Sequence, residues 1–276
     1  MSQATEIAEQ LGQIKQENPY LQKEIARLNR EDFIELEQVE LVHNWLESKL
    51  KSGQPCRIVG ESRTGKTIAC DSYRLRHKPI QEHGKPPIVP VIYIHPPTEC
   101  GSRELFRTII EDLRYQIPKG TIADLRDRTY KVLKSCNVEM LIIDEADRLK
   151  PKTFADVRDF SDRLKISVVL VGTDRLDALI KRDEQVYNRF RACYQFKLLT
   201  GEQLRQTVEI WERQVLCLPV ASNLTSNEML NILQKATRGY IGLLDMVLRT
   251  AAIRSLQKGL TRIDKATLQE VTEEFR

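Results

Sequence analysis

Five short apolar runs alternate along the middle of the chain with longer segments whose apolar positions recur every three or four residues. The short runs are residues 56–59, 91–95, 140–143, 167–171 and 194–198. The longer segments are residues 66–77, 103–117, 122–136, 153–164 and 176–190. Apolar strands that alternate with amphipathic helices are typical of a parallel sheet covered on both faces. We therefore predict an α/β fold with a five-stranded parallel sheet.

The segments on either side of this alternation have a helical pattern. Residues 1 to about 30 are mostly polar, with apolar residues at irregular helical spacing. These apolar positions are Ile14, Leu21, Ile25 and Leu28. A clearer amphipathic helix begins at Phe33 and ends near Gly53, and the strand pattern stops after Leu199. Four further helices are predicted at residues 202–217, 227–237, 241–258 and 265–275. We predict a helical appendage (1–32), an α/β domain (33–199) and a small all-helical domain (200–276).

Composition narrows the class of protein only slightly. The 276 residues are 41% hydrophobic and 30% charged, with a formal net charge of +4, which permits nucleic-acid binding without indicating it. The N-terminus is polar, and no apolar run approaches the roughly 20 residues that span a bilayer, so we expect a cytoplasmic protein without a membrane partner. The six cysteines are scattered without a C-x-x-C pair, which predicts buried thiols and neither disulfides nor a metal site.

The stretch GESRTGKT is the first motif that indicates a specific chemical function. Its spacing is G-x-x-x-x-G-K-[ST], between a predicted strand and a predicted helix, which is the setting of a phosphate-binding loop. The two glycines permit a tight turn, Lys66 reaches the β and γ phosphates of ATP, and Thr67 ligates Mg²⁺. The predicted nucleotide-binding residues are Gly60, Glu61, Ser62, Arg63, Thr64, Gly65, Lys66, Thr67 and Ile68.

A second motif follows the third predicted strand. The run MLII ends in Asp144 and Glu145. In phosphate-loop NTPases an aspartate at a strand end holds the Mg²⁺ shell, and an adjacent carboxylate can polarise the attacking water. We therefore predict Asp144 as a metal ligand and Glu145 as the general base.

The fourth predicted strand ends in a polar tip. Thr173 is the second residue after this strand and could bond the γ-phosphate or the attacking water. Its hydroxyl could equally serve as the N-cap of the next helix, and the sequence does not separate these two roles.

These landmarks together resemble the AAA+ ATPases over roughly residues 33 to 275. The resemblance implies a phosphate-loop NTPase core followed by a helical lid. In that family an arginine shortly before the fifth strand reaches the ATP of a neighbouring subunit, and Tyr187-Asn188-Arg189-Phe190 stands at that place. We therefore predict Arg189 as this arginine finger. Arg182, seven residues earlier and on the same face of one predicted helix, is expected to assist it.

The loop GESRTGKT, the strand LIIDEADRL and the helix RGYIGLLDMVLRTA are similar to the TniB/TnsC family of transposition ATPases. The resemblance suggests a member of this family from a cyanobacterial CRISPR-associated transposon. The resemblance implies an ATP-dependent ring or helical homo-oligomer on double-stranded DNA. It also implies two protein partners: a TniQ-like target selector with an RNA-guided effector, and a TnsB-like DDE transposase.

Cations at predicted helix starts supply candidate DNA contacts. Arg103 begins the helix after the second strand, and Lys119 lies just before Thr121 at the start of the next helix. A helix N-terminus repels a cation but attracts phosphate, so cations there favour an anion arriving from outside. Thr121, with Asp124 three residues on, has the spacing of a capping box and could be a plain N-cap. Lys150, past the acid pair, is a further candidate.

A second function remains open at this level. Each of these cations could be ordinary solvated surface, and a nucleotide-dependent protein-assembly switch that binds no DNA would keep the whole nucleotide site. The sequence as given continues no further than the lid helices. We therefore expect any DNA contact to come from the ATPase core.

Overall fold

The computed structural model describes residues 19–30 and 34–275, which fall into two compact units. The sheet unit is Glu35–Lys197. The helical unit combines residues up to Ile34 with Leu198–Arg276.

The sheet unit is built on five parallel strands, as the apolar runs predicted. The strands are β1 (Cys56–Val59), β2 (Val91–Ile94), β3 (Met140–Ile143), β4 (Ser167–Gly172) and β5 (Ala192–Gln195). Their order across the sheet is β2-β3-β4-β1-β5, and all four pairings are parallel. Strands β1 to β4 are buried at every residue, so both faces of the sheet are covered, which explains their unbroken apolar sequence.

Seven helices of this unit connect and cover the strands. They are α2 (Glu37–Ser52), α3 (Lys66–Arg76), α4 (Ser102–Asp112), α5 (Ile122–Ser135), α6 (Thr153–Leu164), α7 (Asp174–Ile180) and α8 (Glu184–Arg189). A short 3₁₀ turn, Ala146–Arg148, follows β3. The core packs aromatic rings edge to face, with Phe160 contacting both Phe106 and Tyr130.

The helical unit includes a helix from the beginning of the chain. Its elements are α1 (Pro19–Leu28), α9 (Gly201–Ile210), a π-helical turn (Trp211–Leu216), α10 (Asn227–Thr237), α11 (Ile241–Gln257) and α12 (Lys265–Glu273). Arg27 of α1 donates to the carbonyl oxygens of Val215 and Leu216, at 2.7 and 2.6 Å. The hydrophobic pattern predicted α1 as part of a separate appendage. Instead it packs in the helical unit; Ile14 lies outside the described residues.

The predicted helix 176–190 is interrupted. Asp183 stops it because its carboxylate accepts from the backbone N–H groups of Gln185 and Val186, which makes it the N-cap of α8. The turn before Asp183 contains Arg182, so Arg182 and Arg189 do not share one helical face as predicted. Strand β5 begins two residues earlier than predicted, since Ala192 pairs with Cys56 at the start of β1.

Two smaller findings concern the thiols and the membrane. Four cysteines are buried as expected, but Cys193 and Cys217 are exposed. No helix in the described part of the chain has the length and apolar character needed to cross a bilayer.

The contact between α1 and α11 yields a stability prediction. Arg249 donates to the carbonyl oxygens of Leu28 and Arg30, at 2.8 and 2.7 Å, and pairs with Asp245 at 2.7 Å. Arg249→Ala leaves these acceptors without their charged donor, and we expect the free energy of unfolding to fall by about 2 kcal/mol in urea titrations.

Arg213→Ala is the matched control. Arg213 also pairs with a carboxylate one helical turn away, Glu209 at 2.8 Å, but its side chain is 76% exposed. We expect that variant to lose less than about 1 kcal/mol. Equal losses in the two variants would contradict the structural role of Arg249.

Candidate functional site

The phosphate-binding loop joins the end of β1 to the start of α3. Gly65 is the N-cap of α3 with φ +94°, a left-handed conformation that favours glycine. Gly60 is required for a different reason: a Cβ there would lie 2.8 Å from both the Cβ and the carbonyl oxygen of Phe196. The two glycines of the motif thus permit a turn at one end and a close backbone approach at the other.

Lys66 is folded back against the loop. Its ammonium group donates to the carbonyl oxygens of Gly60 at 2.7 Å and Glu61 at 2.5 Å, and only 8% of the residue is exposed. Burial lowers the pKa of Lys66, while the charges of Asp144, Asp147 and Asp174 oppose that shift. The lysine is therefore a desolvated cation within electrostatic range of three acids that follow two neighbouring strands, β3 and β4.

The rest of the predicted loop is mostly accessible. Thr64 is buried and donates to the carbonyl oxygen of Glu61 at 2.8 Å. The exposed members are Glu61, Ser62, Arg63, Thr67 and Ile68. Backbone N–H groups at the start of a helix, next to a desolvated lysine, form an arrangement that binds phosphate groups.

The two acids that follow β3 have different surroundings. Asp144 is 2% exposed; it accepts from the hydroxyl of Tyr93 at 2.6 Å and from the backbone N–H of Glu145 at 2.8 Å. Glu145 has φ +49°, and its carboxylate pairs with Arg148 at 2.5 Å. One carboxylate is thus buried and held in place, and the other is accessible to water. This difference fits the roles of metal ligand and general base.

These residues fit Mg²⁺ held jointly with a nucleotide. Asp144 is an oriented carboxylate, and Thr67 presents an exposed hydroxyl on the first turn of α3. The described residues contain no cluster of three or more His, Cys, Asp or Glu side chains that could hold a metal alone. Mg²⁺ binds in this way through one or two protein oxygens plus phosphate and water, so Thr67 and Asp144 would supply the protein oxygens.

Thr173 follows β4 directly, beside the phosphate-binding loop. The backbone N–H of Gly60 donates to the carbonyl oxygen of Gly172 at 3.3 Å, which brings the two strand ends together. The Thr173 hydroxyl accepts from the backbone N–H of Arg175 at 3.3 Å, so it is the N-cap of α7. The capping role is present in the structure. A contact of Thr173 with the γ-phosphate stays a prediction.

Arg189 lies at the amino ends of the strands, opposite the carboxyl ends where its own phosphate-binding loop lies. The loop follows the last residue of β1, whereas Arg189 precedes the first residue of β5, which runs parallel to β1. A four-residue strand spans roughly 13 Å at about 3.3 Å per residue, so this arginine does not reach the nucleotide of its own chain. Its side chain is 56% exposed and pairs with Asp162 at 3.2 Å.

Three of the predicted DNA-binding residues lie close together. Arg103 donates to the carbonyl oxygen of Gly120 at 3.2 Å, which joins the starts of α4 and α5. The backbone N–H of Lys150 donates to the carbonyl oxygen of Cys100 at 2.9 Å, so Lys150 lies beside the start of α4. We call Arg103, Lys119 and Lys150 the basic cluster; within the described residues none of them pairs with a carboxylate.

Thr121 is the N-cap of α5. Its hydroxyl accepts from the backbone N–H of Asp124 at 3.3 Å and donates to the Asp124 carboxylate at 2.8 Å, and that carboxylate also accepts from the Thr121 N–H at 2.7 Å. The capping-box spacing in the sequence is therefore confirmed as a capping box.

The motifs did not point to several residues that support the site. Tyr93 holds Asp144, Arg148 holds Glu145, and Asp162 pairs with Arg189. Strand alternation could have suggested Tyr93, because Tyr93 lies opposite Ile142 in the neighbouring strand, two residues before Asp144. The pair of Glu145 with Arg148 has a local i, i+3 spacing that the sequence also offered, whereas the pair of Asp162 with Arg189 depends on helix packing between distant residues.

A family comparison matches most of the sheet unit. The family described as bacterial TniB protein matches residues 24–198. No curated protein matches the chain.

Solved structures match over nearly the whole chain. Cdc6p from Pyrobaculum aerophilum aligns with a TM-score of 0.70 at 16% identity, over 91% of this chain and 70% of that one. The Aeropyrum pernix ORC1 protein in complex with DNA gives 0.67 at 16% identity, over 91% and 69%. The Aeropyrum pernix ORC2 protein in its ADPNP-ADP complexes gives 0.66 at 16% identity, over 90% and 71%. At these identities the similarity shows the fold, which is that of the AAA+ ATPases.

The bond from Tyr93 to Asp144 yields a prediction about metal binding. Tyr93→Phe keeps the ring and removes the hydroxyl that orients the buried carboxylate. Loss of such a supporting contact weakens metal binding about 10- to 100-fold. We expect ATP binding to require at least about 10-fold more Mg²⁺, measured by titrating Mg²⁺ against a fluorescent ATP analogue.

Tyr73→Phe is the matched control, because the Tyr73 hydroxyl donates at 2.9 Å to a different carboxylate, that of Glu47. Its Mg²⁺ requirement should equal that of the wild type. An unchanged requirement in the Tyr93 variant would show that the Tyr93 hydroxyl does not support a metal ligand.

Proposed function

The chain belongs to the TniB family and is an ATPase with the AAA+ fold, and we propose that it is an ATP-dependent regulator of transposition that assembles on double-stranded DNA. In this proposal ATP and Mg²⁺ occupy the loop at residues 60–68, with Thr67 and Asp144 as metal ligands. Glu145 polarises the attacking water, and Thr173 contacts the γ-phosphate side of the site.

The basic cluster is the observation that carries the DNA-binding part. Arg103, Lys119 and Lys150 gather at the starts of two helices without carboxylate partners in the described part of the chain. An unpaired cation at a helix N-terminus is unfavourable in isolation and becomes favourable when an anion binds both the cation and the helix end. Contacts of this kind bind phosphates and read no base, so the proposed binding is independent of DNA sequence. Thr121 would add a contact only by sharing the hydroxyl that already caps α5.

The position of Arg189 supports the proposed assembly into a homo-oligomer. Since it cannot reach its own nucleotide, it can act as an arginine finger only on the nucleotide of a neighbouring subunit. An arginine supplied in this way makes hydrolysis depend on assembly. Arg182 lies in the turn before α8, seven residues before Arg189. In this proposal it is a second cation that assists Arg189 across the interface.

The partners follow from family resemblance. We propose that the oligomer, ring-like or helical, links a TniQ-like target selector with an RNA-guided effector to a TnsB-like DDE transposase. We also propose, on the same resemblance, that the chain is a TnsC protein of a cyanobacterial CRISPR-associated transposon and acts in the cytoplasm.

Glu145→Gln tests the general base. The variant keeps the size of the side chain but cannot accept a proton, so we expect ATP binding to persist and hydrolysis to slow at least about 100-fold. Glu139→Gln is the control, because Glu139 is an exposed carboxylate before the other end of β3. Phosphate release at the wild-type rate from the Glu145 variant would assign water activation to another residue.

The double variant Arg103→Ala with Lys119→Ala tests the DNA-binding proposal. Each lost phosphate contact flattens the slope of log affinity against log salt by about 0.9, so we expect a decrease of up to about 2 and weaker binding to every duplex sequence. ATP binding should remain, because neither residue touches the phosphate-binding loop. Binding would be measured by fluorescence anisotropy at several salt concentrations.

The control double variant is Lys131→Ala with Lys134→Ala, which removes the same charge near the other end of α5. It should change neither the affinity nor the slope. If both double variants bind DNA like the wild type, the basic cluster is not the DNA path. If the wild type itself binds no DNA with ATP, the chain is a protein-assembly switch.

A further inference from the structure

An arginine stands inside the apolar sheet. Arg57 is the second residue of β1, between Leu170 of β4 and Cys193 of β5, and its side chain is only 8% exposed. The rest of β1 is apolar. Burial of a charge in a central strand is unfavourable unless its partners are well placed, so the contacts of Arg57 must compensate for its desolvation.

All these contacts lie in the segment that leads to β5. The guanidinium donates from Nε to the Asp177 carboxylate at 2.8 Å, and from Nη1 to the carbonyl oxygens of Phe190 and Arg191, the latter at 3.1 Å. It also stacks over the ring of Tyr187, 5.4 Å from the centroid. One side chain thus holds α7, α8 and the start of β5 together.

The segment needs such a support. Helix α8 has six residues, too few to be stable by its own hydrogen bonds. Only Val186 and Phe190 of residues 184–191 are buried, so the apolar anchorage of the segment is small. Arg189 lies directly before the two carbonyl groups that Arg57 holds.

We propose that Arg57 is a positioning residue that fixes the segment carrying Arg189 to β1, so that the arginine is presented correctly to the neighbouring subunit. The inference rests on the proposed role of Arg189 as an arginine finger. A planar guanidinium suits this task because it bonds a carboxylate and two carbonyl groups at fixed angles, which a lysine ammonium cannot reproduce from one position.

The test compares three purified full-length variants. Arg57→Met keeps the length and removes the polar contacts, and Arg57→Lys keeps the charge. Arg126→Met is the matched control: Arg126 also bonds an aspartate, Asp156 at 2.8 Å, and also stacks on a ring, but it does not touch the finger segment. Displacement of a catalytic group by about 1 Å costs about 100-fold in rate. We expect Arg57→Met to lose about that much hydrolysis, Arg57→Lys less, and Arg126→Met almost none.

Mixed oligomers separate positioning from a general defect. A Lys66→Ala subunit cannot use ATP but offers an intact Arg189, whereas an Arg189→Ala subunit can use ATP but offers no finger. Arg57→Met should therefore regain hydrolysis when mixed with Lys66→Ala and should gain none with Arg189→Ala. ATP binding by the Arg57 variant alone, measured by fluorescence titration, should match the wild type.

Three results would overturn the inference. Recovery of hydrolysis with Arg189→Ala instead of Lys66→Ala would mean that Arg57 acts on its own phosphate-binding loop. Wild-type hydrolysis by Arg57→Met and Arg57→Lys, with Arg189→Ala inactive, would refute only the role of Arg57. Wild-type hydrolysis by Arg189→Ala would refute the finger assignment, and the inference about Arg57 with it. If Arg57→Met does not fold, the same mixtures are made with Arg57→Lys, and the same criteria apply.

Discussion

Strand β1 is hydrogen-bonded on both sides to parallel strands, and this pairing decides where each functional group lies. Its carboxyl end meets those of β4 and, one strand further, β3, so the phosphate-binding loop, Thr173 and the acid pair share one edge of the sheet. Ligands of open α/β sheets bind at this edge for the same reason. The pairing of Cys56 with Ala192 places the start of β5 beside the start of β1, at the amino ends of the strands. Arg189 is thereby separated from the nucleotide of its own chain.

Charged residues of the same sign differ in how deeply they are buried, and this difference suits them to different roles. Lys66 and Asp144 are desolvated within electrostatic range of each other, whereas Glu145 and Arg189 stay accessible and form ion pairs at the surface. A surface ion pair contributes little and exchanges easily, so an accessible glutamate and arginine can change partner when nucleotide or a neighbouring subunit arrives. A buried, doubly bonded carboxylate such as Asp144 is instead fixed before any ligand binds, which suits a group that must hold a metal in place.

Local pattern predicted the elements well because the strands are buried on both faces and the motifs depend on short spacings. The five strands, the phosphate-binding loop and the capping box of Thr121 all follow from residues within ten positions of one another. The predictions are wrong where a pairing between distant residues, or a single helix cap, decides where an element begins or ends. Asp183 divides a continuous helical pattern, the register with β1 moves the start of β5, and α1 joins helices that follow it by nearly two hundred residues. The sequence does not reveal the role of Arg57, because there it is one polar residue in an apolar run and its partners, Asp177 and Phe190, are more than one hundred residues away.

Glu145, the proposed general base, and the basic cluster are joined by one short piece of backbone. Arg148 pairs with Glu145 through its side chain, its carbonyl oxygen accepts from the N–H of Cys100 at 3.0 Å, and the carbonyl oxygen of Cys100 accepts from the N–H of Lys150. Cys100 is buried and lies two residues before α4, so it cannot move without displacing both ends of this bridge. The proposed phosphate contact of Lys150 would therefore be connected through Cys100 to the turn that carries Glu145. Such a chain of contacts couples the two sites only if the turn has two stable arrangements. The two arrangements would differ in whether the accessible ion pair between Glu145 and Arg148 is formed.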